Sequence, residues 1–153
     1  MTVRATNCHI IDRKKGRMLL KLATRGVSKG KWNCLGGKIE KGESASNGAI
    51  REVYEESGLR IRKPFYHGTL MFHVYGKVFN VSLFSTSSFS GRMRRTDEGR
   101  LKWFYFDKLP YGEMWDDDKY WIVPMLHGRV FDSEFYYDKR NKKVIKAVIR
   151  IRN

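Results

Sequence analysis

The chain has 153 residues, of which 41% are hydrophobic and 14% aromatic, so its composition is that of a packed globular protein and not of a disordered one. A chain of this length is expected to form a single domain over residues 1–153. The net charge of +15 would attract polyphosphates and nucleic acids, but solubility and the protection of strand edges account for most of the basic residues, so a nucleic-acid partner is possible and not favoured.

The cellular compartment is inferred from what the sequence lacks. No apolar run approaches ~18 residues, so neither a membrane-spanning helix nor a membrane partner is expected. The first residues contain no signal-peptide core. The two cysteines, Cys8 and Cys34, show neither a C-x-x-C pattern nor metal-ligand spacing, which predicts a reduced, cytoplasmic protein with small buried thiols.

The first 35 residues are predicted to form two strands and a loop. Residues 3–11 and 17–22 are extended segments, and the turn at 13–16 lets the second strand return along the first. Residues 25–35 form a glycine-containing loop. Its glycine spacing is one residue short of a phosphate-binding P-loop, and Trp32 stands where that motif has Ser or Thr, so a P-loop is excluded.

A helix is predicted from about residue 45 to residue 57. Ser44 is a favourable N-cap for this helix, and Gly58 suits the position that follows its last turn. Gly36 and Gly37 precede the helix and are expected to let the backbone pass close to a metal and a phosphate, because glycine has no Cβ.

Three glutamates on this helix point to metal chemistry. Glu52, Glu55 and Glu56 stand at i, i+3 and i+4 and therefore share one face. A hard divalent cation neutralises such a cluster better than shared protons, and carboxylate oxygens suit Mg²⁺, with Mn²⁺ as a substitute. Cleavage of a phosphate ester or anhydride follows as the reaction class. Arg51 is expected to neutralise part of the cluster or to brace Glu43.

The rest of the chain predicts more strands and a second helix. The expected elements are a hairpin of residues 66–75 and 78–85, a strand at 100–106, a helix at 117–127, and a last hairpin of residues 130–137 and 144–151. Pro124 inside the second helix predicts a break or a shorter helix. Together the elements predict a mixed sheet flanked by two helices.

The segment 37–59 resembles the Nudix box, G-x5-E-x7-R-E-U-x-E-E-x-G-U with U aliphatic. Its fixed positions are filled by Gly37, Glu43, Arg51, Glu52, Val53, Glu55, Glu56, Gly58 and Leu59. The resemblance implies a Nudix hydrolase of fold class α/β (α+β), an α/β/α sandwich with a mixed β-sheet between helices. A solvated acidic helix face is the ordinary alternative, and it requires the glycines, the loop and the spacing to coincide by chance.

Three further segments are similar to the MutT group of oxidised-purine nucleoside triphosphatases. Residues 31–38 read K-W-N-C-L-G-G-K, against R-W-N-x-F-G-G-K in that group. Residues 114–121 read M-W-D-D-D-K-Y-W, against M-W-P-D-D-S-Y-W, and residues 96–98 read T-D-E, against S-D-E. The resemblance implies hydrolysis of 8-oxo-dGTP, and often of 2-oxo-dATP, to the monophosphate and pyrophosphate, which keeps oxidised bases out of DNA.

Carried over position by position, the resemblance implies three sets of contacts. The metal would be held by the backbone carbonyl of Gly36 and the side chains of Glu52, Glu55, Glu56 and Glu98. The triphosphate path would be lined by Leu35, Gly36, Gly37 and Lys38, with Lys38 as the cation. The base would be held by Asn33, Trp115, Asp117 and Asp118.

These residue types suit recognition of a purine. An asparagine amide offers one donor and one acceptor to a base edge. Asp117 and Asp118 are adjacent, and two partly buried carboxyls are not expected both to be charged, so the pair presents a donor and an acceptor and titrates as a unit. Trp115 offers a flat stacking surface. Helix capping is the alternative for the two aspartates, and core packing is expected for Tyr120 and Trp121.

Departures at the rim of the base pocket leave the substrate open. Cys8, Ala23 and Val27 stand where the group usually has a threonine, a lysine and an aromatic residue, and Asp116 replaces a proline. Alternative substrates are RNA 5′ ends or other nucleoside diphosphate derivatives. A nucleic-acid-binding module with a vestigial site is the alternative of a different class. One of the motif glutamates or a nearby carboxylate would accept the proton of the attacking water.

Overall fold

The computed structural model describes residues 1–94 and 99–153. Over these two ranges the chain forms eleven strands and two α-helices. The strands are β1 (Thr2–Asp12), β2 (Arg17–Ala23), β3 (Trp32–Asn33), β4 (Leu35–Lys38), β5 (Arg60–Ile61), β6 (Phe65–Val74), β7 (Lys77–Thr86), β8 (Phe89–Ser90), β9 (Gly99–Tyr105), β10 (Phe131–Tyr137) and β11 (Val144–Ile151). The helices are α1 (Ala45–Ser57) and α2 (Asp118–Leu126), and short 3₁₀ turns cover Phe106–Lys108 and Tyr111–Glu113.

Nine of the described strands form one mixed sheet. Its order is β11-β10-β6-β7-β1-β2-β3, with β4 also paired to β1 and β9 to β2. The pairs β1–β7 and β10–β6 are parallel, and the others are antiparallel. Strands β5 and β8 form a separate antiparallel pair. The predicted mixed sheet flanked by two helices is confirmed.

The two helices cover opposite faces of the sheet, each over its own apolar cluster. Ala49 and Val53 of α1 pack in a cluster with residues of β1, β2 and β4. Trp121, Ile122 and Met125 of α2 pack in a second cluster with β6, β7 and β10. Each large apolar side chain buried in this way contributes roughly 1.5–3 kcal/mol. The α/β/α sandwich therefore follows from two core faces on one sheet, and Trp121 is a core residue as expected.

The ends of the helices follow the signals in the sequence, with one difference. The Ser44 hydroxyl accepts from the Asn47 N–H at 3.1 Å, and Gly58 ends α1 with a φ of 80°. Helix α2 is one residue shorter at each end than predicted and continues through Pro124 without a break. Pro124 lies in the last turn, where it removes one N–H from the i→i−4 ladder, and the helix ends two residues later at Leu126. In the described part of the chain, no helix combines the length and hydrophobicity needed to cross a membrane.

The divergence of β1 from β2 positions the site. The two strands pair only beside their turn, at Ile11 with Met18 and at Asp12 with Arg17. Further along, β1 takes β4 as its neighbour, whereas β2 takes β3 and β9. A cleft opens where the strands separate. The segment 25–35, expected to be only a loop, contributes β3 to this cleft, because two of its residues pair with β2.

Candidate active site

The cleft between the diverging strands holds a cavity of about 310 Å³. Its walls are mostly apolar, with Phe72, Val74, Phe79 and Val81 from the hairpin of β6 and β7. The polar side chains on its lining are Asn7, Lys21, Arg25, Ser28, Asn33, Lys38, Asp117, Asp118 and Tyr137. A cavity of this size with few polar groups is typical of a small-molecule site.

Beside the cavity lies an acidic cluster, which we define as Glu43, just before helix α1, and Glu52, Glu55 and Glu56 on that helix. Glu56 is fully buried, and its Oε1 accepts from the backbone N–H of Gly36 at 2.7 Å. Its Oε2 contacts the ammonium of Lys21. By contrast, the side chain of Glu55 is 52% exposed. The cluster thus extends from Glu55 in solvent to the buried Glu56, which contacts Gly36 and Lys21 of the cavity wall.

Arg51 connects the members of the acidic cluster. Its Nε and Nη2 donate to the two carboxylate oxygens of Glu43 at 2.7 and 2.9 Å, and its Nη1 lies 3.0 Å from Glu52 and 3.1 Å from Glu55. The two-pronged contact lowers the pKa of Glu43 to about 2, and the same hydrogen bonds raise the pKa of Arg51. Arg51 also donates to the carbonyl of Lys38 at 3.1 Å, which ties α1 to β4.

Gly36 and Gly37 lie in strand β4, and the backbone at Gly36 requires glycine. Gly36 has a φ of +150°, and a Cβ there would lie 2.0 Å from the carbonyl oxygen of Thr6 on β1. A Cβ at Gly37 would lie 2.6 Å from the Oε1 of Glu52. The absent side chains let β4 pair with β1 while the Glu52 carboxylate rests on the backbone.

The predicted metal set is only partly described. Glu98 lies outside the described residues. Within residues 1–94 and 99–153, no three His, Cys, Asp or Glu side chains are arranged to hold a metal ion. The carboxylate oxygens of Glu43, Glu52 and Glu55 face Arg51, and an oxygen of Glu56 faces Lys21. The residue types suit a hard cation, and metal binding by them stays a prediction.

At the other end of the cavity, Ser28 joins two of the predicted base-binding residues. The indole N–H of Trp115 donates to the Ser28 hydroxyl oxygen at 2.9 Å, and the Asn33 amide nitrogen lies 3.4 Å from the same oxygen. The Asn33 amide oxygen accepts from the N–H of Cys34 at 2.9 Å. These contacts fix the orientation of the Asn33 amide and leave its nitrogen as the donor near the cavity.

Asp117 and Asp118 form a buried carboxyl pair at the start of α2, with exposed fractions of 2% and 4%. Asp117 accepts from the indole N–H of Trp121 at 2.7 Å and from the hydroxyl of Tyr137. Burial raises the pKa of both carboxyls, and the charge of Asp117 raises the pKa of Asp118 further. Because the donors of Trp121 and Tyr137 stabilise a charged Asp117, the pair keeps its proton on Asp118.

The cavity brings together residues that are far apart in the sequence. Those of the predicted base and phosphate set that line it are Asn33, Gly36, Gly37, Lys38, Trp115, Asp117 and Asp118. Leu35 is not on this lining, because its side chain is fully buried in the core beneath α1, and its place on the phosphate path stays a prediction. Tyr120, expected in the core, is 38% exposed, with its ring centroid 5.9 Å from that of Phe135.

The prediction for strand β1 also requires a correction, because Cys8 is not at the rim of the cavity. Cys8 is buried under α1, where burial raises the pKa of its thiol to about 12, and Asn7 is the polar β1 residue that faces the cavity. The alternation of β1 side chains puts Val3, Ala5 and Asn7 on one face. This two-residue period could have identified Asn7 as a cavity residue from the sequence alone. Cys34 lines the cavity as a free, buried thiol.

Lys21, Ser28 and Tyr137 are three other polar cavity residues that the sequence did not predict. Tyr137 ends β10, about a hundred residues from Asn33, and no local motif marks it. Lys21 lies in a strand between two apolar residues, where a charged side chain would ordinarily be placed in solvent. Only the pairing of β2 with β3 brings it opposite Asn33.

The fold and site define an α/β/α sandwich with a glutamate-bearing helix beside a cavity. The NUDIX domain model matches residues 1–123, and the chain therefore belongs to the Nudix family. The chain is 34% identical over 127 residues to the oxidized purine nucleoside triphosphate hydrolase of Mus musculus, covering 82% of this chain and 81% of the relative. It is 37% identical over 124 residues to the enzyme of the same name from Danio rerio, covering 80% of each.

A solved structure agrees with this assignment. A MutT protein from Bacillus halodurans superposes with a TM-score of 0.83 at 27% identity, and the match covers 96% of this chain and 97% of that one. The agreement extends past the region of the family model, to the strands that follow α2.

Proposed function

We propose that this protein is a metal-dependent Nudix pyrophosphohydrolase that converts oxidised purine nucleoside triphosphates, such as 8-oxo-dGTP, to the monophosphate and pyrophosphate. The observation that carries the proposal is the buried carboxyl pair, Asp117 and Asp118, in a cavity that is also lined by Lys21 and Gly36, both of which contact the Nudix glutamate Glu56. The activity for which the relatives from Mus musculus and Danio rerio are named supports it. Such an activity would remove damaged nucleotides before DNA synthesis uses them.

The donor set fits a divalent cation, with Mg²⁺ as the proposed metal and Mn²⁺ as a substitute. Glu52, Glu55 and Glu56 and the carbonyl of Gly36 would hold it, together with Glu98. When bound, the metal would neutralise the phosphate oxygens and stabilise the leaving pyrophosphate. The glycines of β4 would let the triphosphate approach the backbone, and Lys38 would attract it at the exposed edge of the cavity.

The base would be read by hydrogen bonds of fixed direction. Asp118, with its proton, offers a donor, and Asp117 is held as an acceptor by Trp121 and Tyr137. Asn33 adds an N–H donor. A site whose buried polar groups need partners discriminates strongly against a base that cannot supply them. The aromatic face of Trp115 would stack on the purine.

Arg51 and Glu43 would brace the acidic cluster without contacting the substrate. Their two-pronged ion pair fixes the start of α1 relative to β4, since Arg51 also donates to the Lys38 carbonyl. We also propose that residues 1–153 form one domain, supported by the pairing of β10 with β6 in the same sheet. Two free, buried cysteines support a reduced, cytoplasmic environment.

The test is a substrate panel scored by kcat/KM with saturating Mg²⁺. The panel contains 8-oxo-dGTP, 2-oxo-dATP, dGTP, dATP and an RNA with a 5′-triphosphate. We expect the preferred oxidised nucleotide to exceed its normal counterpart by about 10- to 100-fold. A preference for the RNA would support action on RNA ends instead. Binding of the RNA without hydrolysis of any substrate would support a binding module and contradict the proposal.

A further inference from the structure

Lys21 forms a buried ion pair with a glutamate of the Nudix motif. Its side chain is 12% exposed, and the side chain of its partner Glu56 is fully buried. Both oxygens of that carboxylate have donors: Oε1 accepts from the N–H of Gly36 at 2.7 Å, and Oε2 faces the Lys21 ammonium. The Lys21 ammonium is therefore a counter-cation beside the carboxylate that the proposed function assigns to metal.

The surroundings of Lys21 argue against a purely structural role for its charged side chain. Lys21 shares its face of β2 with Leu19, which is fully buried in the cluster under α1, so an apolar residue at position 21 would continue that face. Removing two charges from water costs free energy that a buried ion pair recovers only in part. A lysine at this position thus points to a role for its charge.

The position of Lys21 also connects the two ends of the cavity. Its Cα is directly opposite that of Asn33 in the pairing of β2 with β3, and its side chain lines the cavity. The same cavity is lined by Asp117 and Asp118, and the Lys21 ammonium contacts Glu56 of the acidic cluster. The ammonium therefore lies between the carboxyl pair and the acidic cluster.

We infer that Lys21 is a positioning residue that holds Glu56 toward the Gly36 backbone and competes with the divalent metal for Oε2 of that carboxylate. The inference rests on the proposed function, because it takes Glu56 as a metal ligand. Metal binding then requires the ammonium to give up or share this oxygen. Lys21 lowers the affinity for the metal and supports the fold when little metal is present.

Direct binding of Mn²⁺, measured by electron paramagnetic resonance on protein freed of metal with a chelator, tests this competition. Lys21→Met keeps a chain of similar length without the charge, and we expect it to bind Mn²⁺ about tenfold more tightly than the wild type, because a cation near the site is gone. Lys21→Arg keeps the charge and should stay within about threefold of the wild type. Lys14→Met removes an exposed lysine from the β1–β2 turn and is the matched control.

Thermal unfolding supplies a second readout that does not depend on activity. In a chelator, Lys21→Met should unfold at a lower temperature than the wild type, because Glu56 loses its partner. Saturating Mg²⁺ should raise its unfolding temperature by more than it raises that of the wild type. Lys21→Gln, whose amide can still donate to the carboxylate, replaces the methionine variant in both measurements if the latter does not fold.

The outcomes separate the inference from the function on which it rests. Tighter Mn²⁺ binding by the neutral variants, with Lys14→Met unchanged, supports the competition. Equal or weaker Mn²⁺ binding by those variants, while the wild type binds normally, overturns the role of Lys21 and leaves the proposed function intact. Failure of the wild type and Lys14→Met alike to bind Mn²⁺ overturns both.

Discussion

The acidic cluster of α1 and the carboxyl pair of α2 both gather acidic side chains at the cavity, in opposite environments. The cluster is ion-paired and partly solvated, and Arg51 lowers the pKa of Glu43 to about 2. In the pair, burial raises the pKa of Asp117 and Asp118. One region keeps its carboxylates charged, and the other keeps a proton.

The difference suits the two ends of a nucleotide. Charged oxygens are what a divalent metal and its phosphates require, whereas a base edge is read by neutral donors and acceptors. The same side-chain chemistry is thus directed to different tasks by cations at one end and by desolvation at the other. Five experiments, with substitutions or over a range of pH, test this contrast.

Removing the charge of the acidic cluster should have the largest effect. Glu52→Gln and Glu56→Gln should each lower kcat/KM by at least about 100-fold, because a neutral amide is a poor ligand for a hard cation. Glu52→Gln is the cleaner variant, since Glu56→Gln also removes the ion pair between Lys21 and Glu56. Glu113→Gln, an exposed glutamate of a 3₁₀ turn, is the control. Full activity of either variant would contradict the assignment.

Within the carboxyl pair, the two aspartates should respond unequally. Asp117→Asn should lower the free energy of unfolding by about 2 kcal/mol, because its amide N–H₂ would face the donors of Trp121 or Tyr137. Asp118→Asn imitates a protonated acid and should cost less than about 1 kcal/mol. Denaturant unfolding measures both. Equal losses would show that the proton is not confined to Asp118.

The carboxyl pair should also lose its stabilising contribution to the fold as the pH rises. The pKa of Asp118 is raised above 3.8, so the native state binds more protons than the unfolded state, and this stabilisation is lost as the pH rises through the folded-state value. Asp118→Asn removes the titrating group. Its unfolding free energy should therefore decline less than that of the wild type from about pH 5 to about pH 8. Parallel curves would refute the raised pKa.

The acidic cluster should show the reverse sign. The pKa of Glu43 falls from 4.5 to about 2 on folding, so its stabilisation is present above 4.5 and is lost as the pH falls toward 2. Glu43→Gln should be less stable than the wild type at neutral pH, and the two curves should converge in acid. Glu113→Gln, which changes an exposed glutamate away from Arg51, provides the control. A constant gap down to acid pH would be inconsistent with the ion pair.

The smallest effect is expected from Trp115→Phe, which keeps an aromatic face and deletes the N–H that donates to Ser28. Loss of one such hydrogen bond should raise KM for the preferred nucleotide by about three- to fivefold and leave kcat nearly unchanged. Ser28→Ala deletes the acceptor of the same bond and should give a similar change. A large fall in kcat for either variant would place Trp115 in the chemistry instead of in base binding.

Much of the fold could be predicted because its signals are local. The N-cap at Ser44, the glycine at position 58 and the apolar segments fix α1 and the long strands. The short strands β3 and β4 were missed, because two- and four-residue segments lack a period of their own and are held by pairing with β2 and β1. Tyr120 was misjudged because neighbouring residues on a helix face different directions.

The family could be read from the motif between Gly37 and Leu59. The acidic face of α1 could be predicted as well, because helix geometry places Glu52, Glu55 and Glu56 within one turn. Which residues share the cavity depends on the tertiary structure. Lys21 meets Glu56, and Tyr137 meets Asp117, across large separations in the chain. These contacts exist because β1 and β2 diverge and the sheet brings β10 beside β6, and long-range strand pairing has no signature in a local pattern.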